Sequence, residues 1–331
     1  MVGDALARSG RFVATWLAAA TILLATSPAW AGGTSFTITE PALTSPHGLA
    51  SDPSRSVYWT ANQSGAGRVF AIKPDGSTAG VVTFPATTVA VEAVAYHENR
   101  VYLADIGNPD ASRESVTIYR LGKLAYGGTS DVVAWEFTYP DGPHDAASMM
   151  VSPRGNLYVV TRGSTAAVYR APSSLVIDGK NVLTRVATAP AWITDATFID
   201  NQRMALRTYT GVLVMDAFSF ETVGAATLPT QEAGESLTTS PDGLGLMAGS
   251  AVPASTVVAV PIPTTMASLS PAPSVAPTGA SPTPSSSPSA SEDAVATTEG
   301  GDGPSRNGTF LALGGALLLA LVAAAVVAIK R

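Results

Sequence analysis

HGLASDPSRSVYWTANQSGAGRVFAIKPDG, residues 47–76, is the stretch that decides the fold. It reads as a small, apolar strand, a turn at Asp52-Pro53-Ser54, a second strand rich in Val, Tyr and Trp, and a third strand running into Pro74-Asp75-Gly76. Short apolar runs punctuated by Pro, Gly, Asn and Asp, with no sustained helical period, mark strands and turns. The unit returns as EAVAYHENRVYLADIGNPDASRESVTIYRL (92–121), ASMMVSPRGNLYVVTRGSTAAVYRAP (147–172), DATFIDNQRMALRTYTGVLVMD (195–216) and ESLTTSPDGLGLMAGSAVPASTVVAVP (235–261). Fourth strands are expected between the copies, at 79–84, 132–138, 182–187 and 222–228. Copies starting 40 to 55 residues apart have the size of a four-stranded propeller blade.

The expected fold is therefore all-β: a five-bladed β-propeller over residues 32–263, with six blades as the alternative if residues 108–143 hide a degenerate copy. The fifth copy lacks an outer strand. Ser35-Phe36-Thr37-Ile38-Thr39 can supply it from the other end of the domain by pairing near residues 256–260, which closes the ring and covers two open edges. A β-sandwich does not predict five copies of one strand–turn–strand unit.

The flanks set the expected address. Arg8 and Arg11 precede a short apolar run and Ser27-Pro28-Ala29-Trp30-Ala31, the pattern of a signal peptide (residues 1–31) cleaved after Ala31. Residues 264–308 are rich in Pro, Ser and Ala and read as a disordered stalk that cannot build a core. Residues 309–329 end in the uncharged run FLALGGALLLALVAAAVVAI, long enough for one transmembrane helix, and Lys330-Arg331 follow as a cytoplasmic tail. The expectation is a single-pass cell-membrane protein with its propeller outside the cell. The chain has no cysteine, which removes disulfides, thiolate metal sites and cysteine nucleophiles. A net charge of −6 argues against a nucleic-acid partner.

In a propeller the first strand of each blade lines the central channel, so one position per repeat forms a ring. Aligning the copies puts His47, Glu92, Ala147, Asp195 and Glu235 at that position, with His144 and Asp145 just before Ala147. Asn62, Asp105 and Arg207, at the ends of second strands, join them at the channel mouth. Converging carboxylates raise each other's pKa unless a cation offsets them. Glu92, Asp195 and Glu235 are thus candidate ligands for a hard cation such as Ca²⁺. Two other readings stand beside this: the carboxylates bond blade-loop amides, or Arg207 pairs with the ring and removes the need for a metal. No nucleophile elbow, zinc-protease helix or phosphate-binding glycine loop is present.

The stretches VEAVAYHENRVYLADIGN with SVTIYRL, FTYPDGPHDA with LYVVTRG and VYRAP, and ITDATFI with ALRTYTG carry a resemblance. Over residues 46–250 the chain resembles exported bacterial propeller proteins related to the NHL, SMP-30/gluconolactonase and WD40-like propellers, a group without a settled activity. Where those relatives carry DIGDN, this chain has Asp105-Ile106-Gly107-Asn108-Pro109, and where they carry an acid after PHDA it has Ala147. The likeness to SMP-30 implies a metal-dependent lactonase site of Glu, Asn and Asp. Glu92, Asn62 and Asp195 are only approximate counterparts, so that activity is not carried over. The expected function is a surface-displayed module binding an extracellular protein, glycan or small molecule. The alternative is a metal-dependent hydrolase, lactonase or phosphoesterase-like, at the channel mouth.

Overall fold

The computed structural model describes residues 33–266. The signal peptide, nearly all of the stalk and the C-terminal span expected from the sequence lie outside the described residues. Twenty-one strands form five sheets, with no helix among the described residues. After β1 (Phe36–Thr37), blade I is β2 (Pro46–Asp52), β3 (Val57–Asn62), β4 (Gly65–Ile72) and β5 (Thr78–Thr88). Blade II is β6 (Val91–His97), β7 (Arg100–Asp105), β8 (Val116–Leu121) and β9 (Val132–Thr138). Blade III begins with β10 (Ala146–Val151), β11 (Leu157–Thr161) and β12 (Ala167–Arg170); β13 (Lys180–Val182) then joins the edge of blade II, and β14 (Thr184–Thr188) returns as the outer strand. Blade IV is β15 (Ile193–Phe198), β16 (Arg203–Thr208), β17 (Gly211–Asp216) and β18 (Thr222–Thr227). Blade V is β19 (Ser236–Thr239), β20 (Gly245–Gly249) and β21 (Thr256–Pro261), completed by β1.

The innermost strands touch in the order β2, β6, β10, β15, β19 and back to β2, which closes the ring. They surround a narrow cavity of about 90 Å³ lined by three successive residues from each: 49–51, 94–96, 149–151, 196–198 and 237–239. The blade number is five. The sixth copy considered for residues 108–143 does not exist, because that stretch supplies β8 and β9 of blade II.

Five apolar clusters fill the five interfaces between blades. Trp59, Phe84 and Leu103 lie between blades I and II, and Phe137, Tyr139 and Tyr169 between II and III. Val160 and Leu206 join III to IV, Leu237 and Val212 join IV to V, and Tyr58, Phe70 and Met247 join V to I. Each fully buried side chain of this size contributes roughly 1.5–3 kcal/mol, so a ring of such interfaces holds without disulfides.

The expected fourth strand at 182–187 is divided, and Asn181 is the cause. Its buried side chain donates to Glu136 O and Val176 O and accepts from Val176 N, tying β13 to the parallel β9 before the chain reaches β12.

Ring closure follows the expected pairing. Phe36 lies opposite Val257 and Thr37 opposite Thr256. Ile38 N donates to Ser255 O (2.9 Å), Ala259 N to Ser35 Oγ (2.9 Å) and, toward blade I, Thr39 N to Gly76 O (3.0 Å). The Phe36 ring stacks on Tyr58, centroids 5.3 Å apart. We expect Phe36→Ala to lower stability by about 3 kcal/mol through loss of buried ring area at the seam. Denaturant unfolding reads this directly, and an unchanged midpoint would mean that the strand closes nothing.

Candidate functional site

The mouth is built by β-bulges at the start of the innermost strands. In blade II, Val91 pairs with Asp105 and Ala93 with Ala104, leaving Glu92 as the extra residue. The same step leaves Ala147 extra in blade III and Thr194 in blade IV. In blade I the extra residue falls between His47 and Ala50. There Gly48 has φ +66°, and a Cβ at that position would come within 2.2 Å of Val94 N, so only glycine fits. In blade V Glu235 directly precedes the pair Ser236–Gly249.

The register therefore gives a column of Gly48, Glu92, Ala147, Thr194 and Glu235. His47 and Asp195 stand one residue away from it. A one-residue slip turns a side chain to the other face of the strand. Asp195 is accordingly buried between blades, where it accepts from Ser148 Oγ (2.8 Å), Ala196 N (2.8 Å) and Leu237 N (2.6 Å). Burial pushes its carboxyl up to about 8, against the pull of those donors.

The centre of the mouth is Arg162, which directly follows β11. Its Nη2 donates to Glu92 Oε2 at 2.7 Å and lies 3.4 Å from Glu235 Oε2, and its Nε is 4.0 Å from Asp145 Oδ2. Burial works against the Arg162 charge, but Glu92, Glu235 and Asp145 together hold its pKa above the ordinary arginine range. Burial pushes Glu92 up to about 7; Asp145 and Glu235 add to the rise, and Arg162 opposes it. Glu235 is raised for the same first reason, against the pull of Arg162 and Arg207. His47 is buried with Nδ1 3.1 Å from Ser45 O, and burial lowers its pKa, so the ring is neutral at pH 7. Arg162 Nε and Thr194 Oγ1 are buried without a protein partner.

The remaining expected residues hold loops. Asn62 Oδ1 accepts from Thr44 N and Ser45 N, and its Nδ2 donates to Ala42 O. Asp105 accepts from Val89 N, Ala90 N and Arg113 Nη1, fastening two loops at the rim of blade II. His144 Nε2 lies 3.1 Å from Asp141 Oδ1 and 3.1 Å from Tyr169 Oη, with its ring edge-on to Tyr139. Asp145 is fixed by Asn108 N, which donates to its Oδ1 at 2.7 Å. Arg207 is a buried staple: its guanidinium donates to Ser236 O, Gly249 O and Gln231 Oε1, and burial lowers its pKa to about 10.

The arginine that pairs directly with the acidic mouth is thus Arg162, while Arg207 acts on Glu235 through its charge alone. The Arg162 position follows the second strand, where the other blades have Asn62, Ile106, Tyr209 and Ala251. Blade III, one of the three blades without a carboxylate in the column, supplies the guanidinium. A Ca²⁺ site of Glu92, Asp195 and Glu235 does not fit this geometry. Arg162 bridges the two glutamates while Asp195 faces away, and no metal-like cluster of His, Asp and Glu occurs among the described residues.

The described residues define a five-bladed β-propeller with a carboxylate-clamped arginine at the channel mouth. No protein-family model and no curated protein matches the chain. Solved structures similar to it include a gluconolactonase from Xanthomonas campestris, 13% identical, covering 70% of this chain and 98% of that one with a TM-score of 0.42. A streptogramin B lyase is 10% identical over 67% of this chain and 95% of its own, TM-score 0.38. The Swd1 β-propeller domain from Myceliophteria thermophila is 12% identical over 66% and 83%, TM-score 0.38. At these scores the likeness carries no argument about activity, and the fold rests on the strand pairing itself.

Proposed function

We propose that the protein is a ligand-binding propeller held at the outer face of the cell membrane by its stalk and C-terminal span. Its channel mouth takes a ligand bearing an amine or a similar cluster of hydrogen-bond donors. The observation supporting this is the imbalance around Arg162: three carboxylates, Glu92, Asp145 and Glu235, share one guanidinium. Acceptor oxygens are in excess there, and partial burial strengthens their hold on a second positive group. A metal-assisted hydrolase needs its carboxylates turned onto one cation. Here two of the three candidates are taken by Arg162 and the third by backbone and serine donors, so binding is the better supported reading.

Among the described residues, the ring's pairing, cores and closing strand come from residues 35–266, and residues 33–266 are the unit to test. Calorimetric titration with spermidine is expected to show saturable binding that weakens at least tenfold in Glu235→Gln. Absence of saturable heat, with a lactone hydrolysed in a Glu92-dependent manner instead, would reverse the choice between the two readings.

A further inference from the structure

On the face opposite the mouth, the hairpins of blades III and IV enclose a second feature that the mouth chemistry does not use. A groove of about 280 Å³ lies between them, close to the size at which small-ligand sites begin. Its walls carry Arg154, Arg170, Tyr158, Phe198, Phe218 and Phe220.

The aromatic side is ordered from the backbone outward. Tyr158 and Arg170 are cross-strand partners on β11 and β12, and the Tyr158 ring packs against Phe198 with centroids 5.5 Å apart. Phe218 and Phe220 sit in the turn between β17 and β18. Asp216 Oδ1 accepts from Phe218 N and Ser219 N, and Phe220 adopts a left-handed φ of +59°. A bulky residue is a true outlier in that region. Phe218 is nonetheless 62% exposed.

The charged side is uncompensated. Among the described residues the arginine ion pairs are made by Arg55, Arg113, Arg162 and Arg203. Arg154 and Arg170 make none, although the chain carries a net charge of −6. The nearby carboxylates are already engaged, Asp200 by Arg203 and Asp216 by its own turn. Arg154 stands over the Phe218 ring, 6.0 Å from its centroid, an arrangement that leaves guanidinium hydrogens free for a further acceptor.

We propose that this groove binds a small organic anion: a flat, apolar body lies against the rings, and a carboxylate is taken by Arg154 and Arg170. Both halves of the ligand are required. Two guanidinium forks suit the carboxylate, and the ring-lined wall suits an aromatic body, whereas a simple inorganic anion meets only the arginines.

The test uses residues 33–266 and 2-naphthoate as a fluorescent probe, with 2-naphthalenemethanol and acetate as the body and the charge taken separately. Saturable 2-naphthoate binding is expected, at least tenfold tighter than either partial probe. Arg154→Gln and Arg170→Gln should each weaken it about tenfold, and Phe218→Ala should also weaken it. All three residues are exposed, so melting temperatures should stay unchanged and separate lost binding from lost folding. Equal affinity for the neutral alcohol, no saturation with 2-naphthoate, or full binding in the double arginine variant would overturn the proposal.

Discussion

Replacing Arg162 by methionine lowers the stability of the propeller by about 3 kcal/mol at pH 7.5, the cost of leaving partly buried carboxylates without their cation. Methionine keeps much of the aliphatic bulk, so the loss is electrostatic rather than a packing defect. It also depends on pH in a defined direction. Without the guanidinium, the Asp145 and Glu235 charges push Glu92 up further and the Asp145 charge raises Glu235, so the folded chain holds protons that the unfolded chain has released. Stability then falls as pH rises.

The unaltered chain already leans this way through Glu92, whose value stands at about 7 against an ordinary 4.5. Its contribution is complete below about pH 4.5 and is lost as pH approaches 7. Arg162→Met extends the loss to higher pH. Urea unfolding at pH 5.5 and pH 8 should therefore show a much smaller penalty at pH 5.5. An equal penalty at both would mean that Arg162 acts through packing alone.

The second large effect falls on Asp195. Its carboxylate joins three blades, taking Ser148 from blade III, Ala196 from its own strand and Leu237 N from blade V. Asp195→Ala strands the Leu237 N–H in a site closed to water, while the Ser148 hydroxyl keeps Ala196 O as an acceptor at 3.2 Å, so a loss of about 2 kcal/mol is expected. Asp195→Asn keeps one acceptor oxygen and should cost about half as much. Guanidinium chloride unfolding measures both. If Asp195 were a mouth ligand instead, Asp195→Asn would leave stability nearly unchanged and remove spermidine binding.

These two residues also show where the sequence was readable and where it was not. The repeat was visible because each blade restates the same strand and turn chemistry. Residues 132–138 and 222–228 were expected as outer strands and correspond to Val132–Thr138 and Thr222–Thr227. The closing strand was visible because blade V lacked a fourth strand and residues 35–39 had no other partner. The division at Asn181 was not readable, since an asparagine that clamps a neighbouring blade looks like any turn residue.

The site was half legible. Glu92, Glu235 and Asp145 come together, but the column slips at Asp195 and His47. An added bulge residue leaves no mark in the strand pattern, yet it reverses which side chain faces the channel. Arg162 does not stand out in the sequence because it sits in the ordinary-looking turn Thr161-Arg162-Gly163. The available signal was a lone arginine at a position where the other blades place uncharged residues.

In the proposed function the Arg162 guanidinium stands where a metal ion would otherwise gather the carboxylates of the mouth, and the mouth binds rather than catalyses. Calorimetry on residues 33–266, titrated after chelation with Ca²⁺ and separately with spermidine, tests it most directly. Saturable heat is expected from spermidine and none from Ca²⁺ at millimolar concentration. Stoichiometric Ca²⁺ binding by the unaltered chain, abolished by Glu92→Gln, would contradict it.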